Sequence, residues 1–249
     1  MDIQSTAPMP GDPDYPVSQG AFPVWQKVYT KPTEETFVQI TSHPEAKAKS
    51  AYTWVFLAGA LSGLINSVTS TIVTMVAFRA ENPALGADTP ELVGGMFGVM
   101  GLLGAICAAP VAGVFAVIGF ALNVGVVHAT ARFFGGKGTF DKLAYAFGAI
   151  TVPVSVISAF LIPFRTISLA AYCTWPLLVL LGIYVLYLEV TAVKAVNQCS
   201  WGEAAAAFFM PTILFLLLCG LLTVVALRAA GPTLDEFMRQ YQQLQQQPR

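Results

Sequence analysis

Three ionisable residues lie within otherwise apolar stretches of the chain, where charged groups are costly and are functional candidates by default. His128 and Arg132 are four residues apart, so they share one face of a helix near its end. Glu189 interrupts the apolar run from Tyr184 to Val193. Because these helix ends are predicted on one side of the membrane, His128, Arg132 or Lys194 could pair with Glu189. Such a set could relay a proton or an ion, or it could serve packing alone, with Arg132 reaching the interface.

Polar side chains also recur through the first long apolar stretch, one helical turn apart. In lipid such a stripe needs hydrogen-bond partners, so we expect it to face other helices, although a substrate path would use the same residues. The Gly59-x-x-x-Gly63 pair on this stretch predicts a small face for close helix packing. The stripe consists of Ser62, Asn66, Ser70 and Thr74. The candidate intramembrane polar cluster comprises His128, Arg132, Glu189 and Asn66.

A short cationic loop rich in glycine separates two long apolar stretches. Its centre, Gly135-Gly136-Lys137-Gly138, invites comparison with a phosphate-binding loop, in which backbone amides surround the phosphate. The match fails because Ala131 stands where the first glycine is required, and Gly138 replaces the hydroxyl residue after the lysine. No β-strand is predicted before the loop either. We therefore predict a tight turn between helices whose lysines contact anionic lipid.

The remaining sequence contains no recognisable catalytic or metal-binding set. The chain has two histidines, His43 and His128, with no H-E-x-x-H motif and no paired carboxylates in the apolar stretches. Its four cysteines form no C-x-x-C pair, and we interpret them as small apolar residues. The sequence thus predicts no enzyme, no cofactor and no metal site. The basic residues are scattered, which argues against a nucleic acid partner.

The composition is that of an integral membrane protein. Hydrophobic residues make up 55% of the chain and charged residues 11%, against roughly a quarter charged in a typical soluble domain. About 20 apolar residues suffice for a helix to cross the hydrocarbon of a bilayer. We predict an all-α, polytopic membrane helix bundle with five transmembrane spans. The spans are residues 52–78, 110–131, 143–164, 167–193 and 204–227.

The second span is predicted to follow a broken, glycine-rich segment. The chain is apolar from Leu92 to Phe134, which is too long for one ordinary span. The glycines between residues 94 and 104, followed by Pro110, predict a break before the full crossing. The sequence leaves open whether residues 94–109 form a re-entrant segment or a complete crossing.

Charge decides the orientation of the spans. The glycine loop carries Lys137 and Lys142 beside Arg132, whereas the loop at residues 79–91 is net acidic. The positive-inside rule therefore places the glycine loop in the cytoplasm and the acidic loop outside. With a cytoplasmic amino terminus, both conditions hold if residues 92–131 cross the membrane once. Five crossings follow, and the carboxyl terminus is expected outside.

Two segments precede the spans. Residues 1–22 are rich in proline and lack an apolar run, so they are predicted to be a disordered cytoplasmic tail. Residues 23–41 repeat apolar side chains at helical spacing, Val24, Trp25, Val28 and Tyr29 among them. This pattern predicts an interfacial amphipathic segment lying on the membrane surface. A segment that packs against the ends of the spans would show the same pattern.

The membrane domain is predicted to occupy residues 42–230. Ser42-x-x-Glu45 has the spacing of a capping box, so we expect the first span's helix to begin there. A second box, Thr233-x-x-Glu236, follows Gly231-Pro232. It predicts that residues 231–249 form a short amphipathic helix and a glutamine-rich tail.

Several segments match one known family: residues 25–32, 36–40 and 128–140, with Tyr145, Pro153 and the link at residues 194–204. Together they resemble the Yip family, multi-span membrane proteins named for interaction with Ypt/Rab GTPases. The resemblance implies five spans, a cytoplasmic amino terminus and a role in membrane organisation or trafficking without known catalysis. The compact form is similar to prokaryotic members, which implies a bacterial plasma membrane. No segment resembles a defined GTPase-docking motif, so the sequence argues against a small GTPase partner.

Three hypotheses about function follow. The first is a non-enzymatic membrane protein that scaffolds membrane lipids, other integral membrane proteins or copies of itself. The second is a small transporter or channel that uses the broken segment at residues 94–110 with Glu189 and His128, because broken helices often line substrate sites. The third is an accessory subunit of a larger membrane complex.

Overall fold

The fold is an all-α bundle, seen in a computed structural model that describes residues 20–81, 90–161 and 168–245. Within these residues there are seven helices and no strands. The helices are α1 (Ala21–Thr30), α2 (Glu34–Ser42), α3 (Ala48–Glu81), α4 (Pro90–Phe133), α5 (Phe140–Leu161), α6 (Ser168–Asn197) and α7 (Trp201–Gln245).

Five of these helices, α3 to α7, are long and apolar enough to cross a membrane. Each exceeds the roughly 20 residues that a crossing needs. The five predicted spans are therefore confirmed, and the protein is integral to a membrane. Their apolar segments are Ala48–Ala77, Gly98–Phe133, Phe140–Leu161, Tyr172–Asn197 and Trp201–Val225.

The two short helices α1 and α2 form a cap over one end of the bundle. Pro32 separates them, and Thr33 starts α2 by accepting a hydrogen bond at its Oγ1 from the Thr36 amide, 3.3 Å away. The cap's apolar face packs on α5 and α6. Residues 23–41 thus contact the ends of the spans, and their position relative to the bilayer stays a prediction. The side chains of this face, Val24, Val28, Phe37 and Ile40, are all buried.

The first long helix does not begin at the predicted capping box. Ser42 ends α2 and donates its hydroxyl to the Gln39 carbonyl, and α3 starts only at Ala48. The Asp141 carboxylate, from the first turn of α5, accepts the Ala48 amide at 3.2 Å. A side chain distant in sequence thus satisfies an orphan donor at the start of α3. The Ser-x-x-Glu pattern that works as a box is at Ser200, where the Ser200 amide donates to Glu203 at 2.8 Å.

The break predicted before the second span is absent. Residues 90–133 form one continuous helix with Pro110 inside it, so the glycine-rich segment belongs to a single long span. Proline is tolerated inside membrane helices where neighbouring elements support the turn. Here α3 packs closely along α4: a Cβ added to Gly63 would lie 2.5 Å from the Ala112 Cβ, two residues beyond Pro110. The segment therefore neither re-enters nor crosses separately.

The carboxyl-terminal boundary is also absent. Helix α7 continues from Trp201 to Gln245, through the interruption that we expected at Gly231-Pro232. The predicted amino-terminal tail falls almost entirely on residues 1–19, outside the described residues, as does most of the acidic loop.

One cluster of buried apolar side chains holds the bundle together, and it lies at the capped end. In α3 it extends from Ala48 only to Ala58, and in α7 it ends at Ala207. Helix α5 contributes most to it, because an unbroken run from Leu143 to Ile150 is buried. Away from this end, α7 is not covered by the described helices: residues 213–218 are all more than half exposed. The capped end is therefore the well-packed part of the molecule, which we call the cap end.

Candidate functional site

The glycine loop lies on the carboxyl end of α6. The Gly136 amide donates to the Ala131 carbonyl at 2.9 Å, and the Lys137 amide donates to the Asn197 carbonyl at 3.1 Å. Gly135 has a φ of 87°, in the left-handed region that glycine adopts without strain. These bonds satisfy carbonyl groups at the ends of both α4 and α6. The loop thus joins α4, α5 and α6 at one point of the cap end.

Two further glycines are required by close contact rather than by backbone angle. A Cβ on Gly138 would lie 2.7 Å from both the Val196 carbonyl oxygen and the Asn197 Oδ1. A Cβ on Gly136 would lie 2.9 Å from the Asn197 Cβ. The loop therefore serves as a packed turn, in which Gly136 and Gly138 contact Asn197.

Asn197 is the buried polar residue around which this turn is built. It is 1% exposed, and its Nδ2 donates to the Val193 carbonyl at 3.0 Å. Its Oδ1 has no hydrogen-bond partner among the described residues. Sequence reasoning did not single it out, although an asparagine at a helix carboxyl end is a recognised stop signal.

Tyrosines fasten the cap to the spans. The Tyr29 hydroxyl donates to the Ile150 carbonyl at 2.7 Å, one turn before Pro153, where the proline removes a backbone donor from α5. The Tyr184 hydroxyl donates to the Tyr29 carbonyl at 2.8 Å. Tyr29, near the carboxyl end of α1, is thus hydrogen-bonded to α6 through its carbonyl and to α5 through its side chain.

Glu189 lies on α6, five residues after Tyr184, and is half-buried. Burial raises the pKa of the Tyr29 hydroxyl, and the nearby Glu189 carboxylate and Tyr184 raise it further. Tyr29 therefore stays protonated and remains a donor at physiological pH. Of the three partners considered for Glu189, none forms an ion pair with it. In the described part of the chain the ion pair found joins Lys194 to Glu34 of the cap.

The Lys194–Glu34 pair is a second fastening of the cap. The Lys194 ammonium also lies 5.0 Å from the centre of the Trp201 ring, within the range of a cation–π contact. The Tyr187 ring stacks on the same Trp201 ring, and the two ring centroids are 6.0 Å apart. The pair is only partly shielded from solvent, so we assign it positioning rather than a large stabilising effect.

The structure does not assemble the predicted intramembrane polar cluster. His128 packs edge-to-face on Phe140, with ring centroids 5.9 Å apart, and its Nδ1 is buried without a hydrogen-bond partner among the described residues. Arg132, one turn later, is exposed at the cap end. Asn66 is exposed on α3. These residues therefore have separate surroundings. Ser62 of the polar stripe contacts α5, whereas Asn66, Ser70 and Thr74 are exposed, and the role of the stripe stays a prediction.

The bundle defines a class: a five-span helical membrane protein with a helical cap. The Yip1 domain family model matches residues 27–224, which is most of the chain. The protein therefore belongs to the Yip1 domain family. Comparison with curated proteins and with solved structures gave no match.

Proposed function

We propose that this protein is a non-enzymatic scaffold that binds membrane proteins or lipids through its cap end. The observation that carries the proposal is the fixed cap: two short helices are bonded to the spans by Tyr29, Tyr184 and Lys194. A rigid surface of this kind, outside the bilayer and without a catalytic set in the sequence, suits binding better than turnover.

Charge supports a cytoplasmic position for the cap end. Exposed basic residues cluster there, at the start of α3, the end of α4 and the start of α5. Positive charge favours the cytoplasmic side and attracts anionic headgroups. An odd number of crossings then puts the end of α7 outside. The basic residues are Lys47, Lys49, Arg132, Lys137 and Lys142.

The transporter hypothesis has less support. It depended on a broken segment at residues 94–110, which is continuous helix, and on Glu189 and His128, which have different neighbours. The choice between an independent scaffold and a subunit of a larger complex is a question of partners, which the experiment below addresses.

The test is co-purification from gently solubilised membranes, with protein partners and retained phospholipids identified by native mass spectrometry. We expect the wild-type chain to carry a partner or bound lipid. The double variant Tyr29→Phe, Tyr184→Phe loosens the cap and should reduce recovery severalfold. Tyr172→Phe is the matched control, because Tyr172 is 80% exposed on α6, away from the cap.

A lone monomer without retained lipid would contradict the scaffold role. Equal recovery by the wild type and the loosened-cap variant would show that the cap is not the binding surface. Circular dichroism of each variant establishes that the spans are still folded.

A further inference from the structure

Three lysines come together at the point where α3 and α5 begin. The Ala48 amide donates to the Asp141 carboxylate at 3.2 Å, although the two residues are 93 positions apart. Lys47 and Lys49 flank Ala48 in the sequence, and Lys142 directly follows Asp141. The contact therefore gathers lysines from two helices, and all three side chains are exposed. We call Lys47, Lys49 and Lys142 the lysine triad.

The lysine triad has no partner within the part of the chain that the structure describes. Two other lysines of the cap end are used internally. Lys27 donates to the Gln39 side chain at 2.6 Å, and Lys194 pairs with Glu34. The ammonium groups of the triad make no such contact, so they are available to a ligand.

Acidic side chains near the triad reduce its positive charge without cancelling it. The Asp141 carboxylate already accepts a backbone amide, and Glu45 is exposed just before α3 begins. Arg132 and Lys137, at the same end of the bundle, are exposed and form no ion pair among the described residues. The surface around the starts of α3 and α5 therefore has a net positive charge.

The lysine triad lies at the depth of the phospholipid headgroups. The apolar span of α3 begins at Ala48, between two of the lysines, and that of α5 begins at Phe140, two residues before Lys142. The ends of spans lie at the boundary between hydrocarbon and water. Basic pockets between membrane helices on the cytoplasmic side bind anionic headgroups. The ligand that is present at this depth in every membrane is a phospholipid.

We propose that the lysine triad binds the phosphate of an anionic phospholipid, whose headgroup bridges the starts of α3 and α5. The proposal rests on the proposed function and names the class of lipid that the cap end takes. A general attraction to a basic surface needs no particular lysine, whereas a bridging headgroup needs lysines from both helices. A zwitterionic headgroup carries an ammonium group that the lysines repel, so phosphatidylglycerol is favoured over phosphatidylcholine.

The first test is native mass spectrometry of the full chain in detergent, titrated with phosphatidylglycerol or with phosphatidylcholine. We expect the wild type to bind phosphatidylglycerol more tightly. Lys47→Gln combined with Lys142→Gln should weaken that binding by up to roughly 30-fold, because each lysine near a headgroup contributes about 5-fold. The matched control is Lys31→Gln combined with Lys137→Gln, which removes the same charge from exposed lysines of the cap end outside the triad.

The control should change the affinity for phosphatidylglycerol little. Equal weakening by the two double variants would indicate diffuse attraction and overturn the site. Equal affinity of the wild type for the two lipids would also overturn it.

The second test uses Asp141→Asn, which acts in the opposite direction. The asparagine keeps an oxygen that accepts the Ala48 amide, but it removes the negative charge beside the triad. We expect phosphatidylglycerol to bind up to roughly 5-fold more tightly. A damaged fold does not produce tighter binding, so this variant is informative even if the lysine variants are unstable. Unchanged or weaker binding would contradict the triad as the site of the phosphate.

Inorganic phosphate is the competitor that distinguishes a lipid from a free anion. It should not displace phosphatidylglycerol at the same concentration, because it lacks the acyl chains that lie along the spans. Displacement would overturn the phospholipid as the ligand.

These outcomes are separable from those of the scaffold proposal. A chain that recovers a protein partner through its cap but does not prefer phosphatidylglycerol contradicts the lipid site alone. A chain that binds phosphatidylglycerol through the triad, but whose recovery of partners and lipid is unaffected by loosening the cap, contradicts the role of the cap alone.

Discussion

Asn197 and Gly138 show how a single contact decides the residue type in the glycine loop. The loop passes so close to the end of α6 that Gly138 has no room for a side chain beside the Val196 carbonyl. Its glycine is therefore explained by packing, without any phosphate ligand. Since Val196 contributes a backbone oxygen, the obstruction cannot move aside as a flexible side chain would.

We expect Gly138→Ala to destabilise the protein by about 1–3 kcal/mol, as overpacking of a close contact does. Thermal unfolding in detergent measures the effect. The control is Gly119→Ala on α4, where an added Cβ meets nothing within 4 Å. That variant should be neutral or slightly more stable, because alanine favours helix. A Gly138→Ala protein as stable as the control would contradict the packed turn.

Tyr29→Phe tests the fastening of the cap. It removes the hydrogen bond to the Ile150 carbonyl and should weaken docking by about 1 kcal/mol. A fluorophore at Phe22→Cys, on a side chain that is 70% exposed in α1, reports docking by its anisotropy in a background without native cysteines. The variant should show a more mobile label than the wild type. Tyr172→Phe should not.

The same label can report how alkaline pH affects the docking of the cap. The pKa of Tyr29 is raised by burial in the folded protein, so the docked state favours the protonated hydroxyl. The contribution of the Tyr29 hydroxyl to docking is complete below the pKa of a free tyrosine, about 10. It is lost as the pH rises through the raised pKa of Tyr29 in the folded protein. We expect anisotropy to fall above pH of about 10 in the wild type. In Tyr29→Phe this step should be absent.

At the scale of elements, the pairing of α3 with α4 depends on small residues. A Cβ on Gly59 would lie 2.5 Å from the Ala116 Cβ, and Gly148 of α5 faces Ala51 of α3 with similar closeness. Three helices thus meet with their backbones near one another, which is the usual way that membrane helices gain contact.

We expect Gly59→Val to separate α3 from α4 and to lower the unfolding temperature in detergent by several degrees, because overpacking costs about 1–3 kcal/mol. Gly104→Val is the matched control: it places the same β-branched residue in α4 at a glycine with open space around it. Similar losses in the two variants would mean that helix propensity, and not the contact, is responsible.

The starts of the helices show where sequence reasoning failed. Three Ser/Thr-x-x-Glu patterns occur, at Ser42, Ser200 and Thr233, and only Ser200 begins a helix. The pattern at Ser42 is overruled because Asp141, far away in sequence, caps α3 six residues later. A local signal cannot compete with a donor–acceptor pair that only the folded bundle brings together.

For the whole molecule, the five spans and the family were predictable because apolar length and the glycine loop are properties of the sequence alone. The surroundings of Glu189 and Asn66 were not. Each lies on a predicted span, but helical spacing does not say which neighbour a face meets.

The proposed orientation makes a prediction about the two ends of the bundle. Lys137→Cys, at the cap end, should react with a membrane-impermeant thiol reagent only when the cytoplasmic side is open. Arg228→Cys, exposed on α7 beyond its span, should react in intact cells. Both variants belong in a background without native cysteines. The reverse pattern of labelling would invert the topology.

The sequence by itself determined the all-α class, the five crossings and the family, because these follow from composition, apolar length and a local motif. The tertiary structure decided the continuity of α4, the docking of the cap through Tyr29 and the exposure of Asn66. Those features depend on which helix faces meet, and that choice minimises unpaired polar groups and empty space over the whole bundle. No single segment of the sequence contains that information.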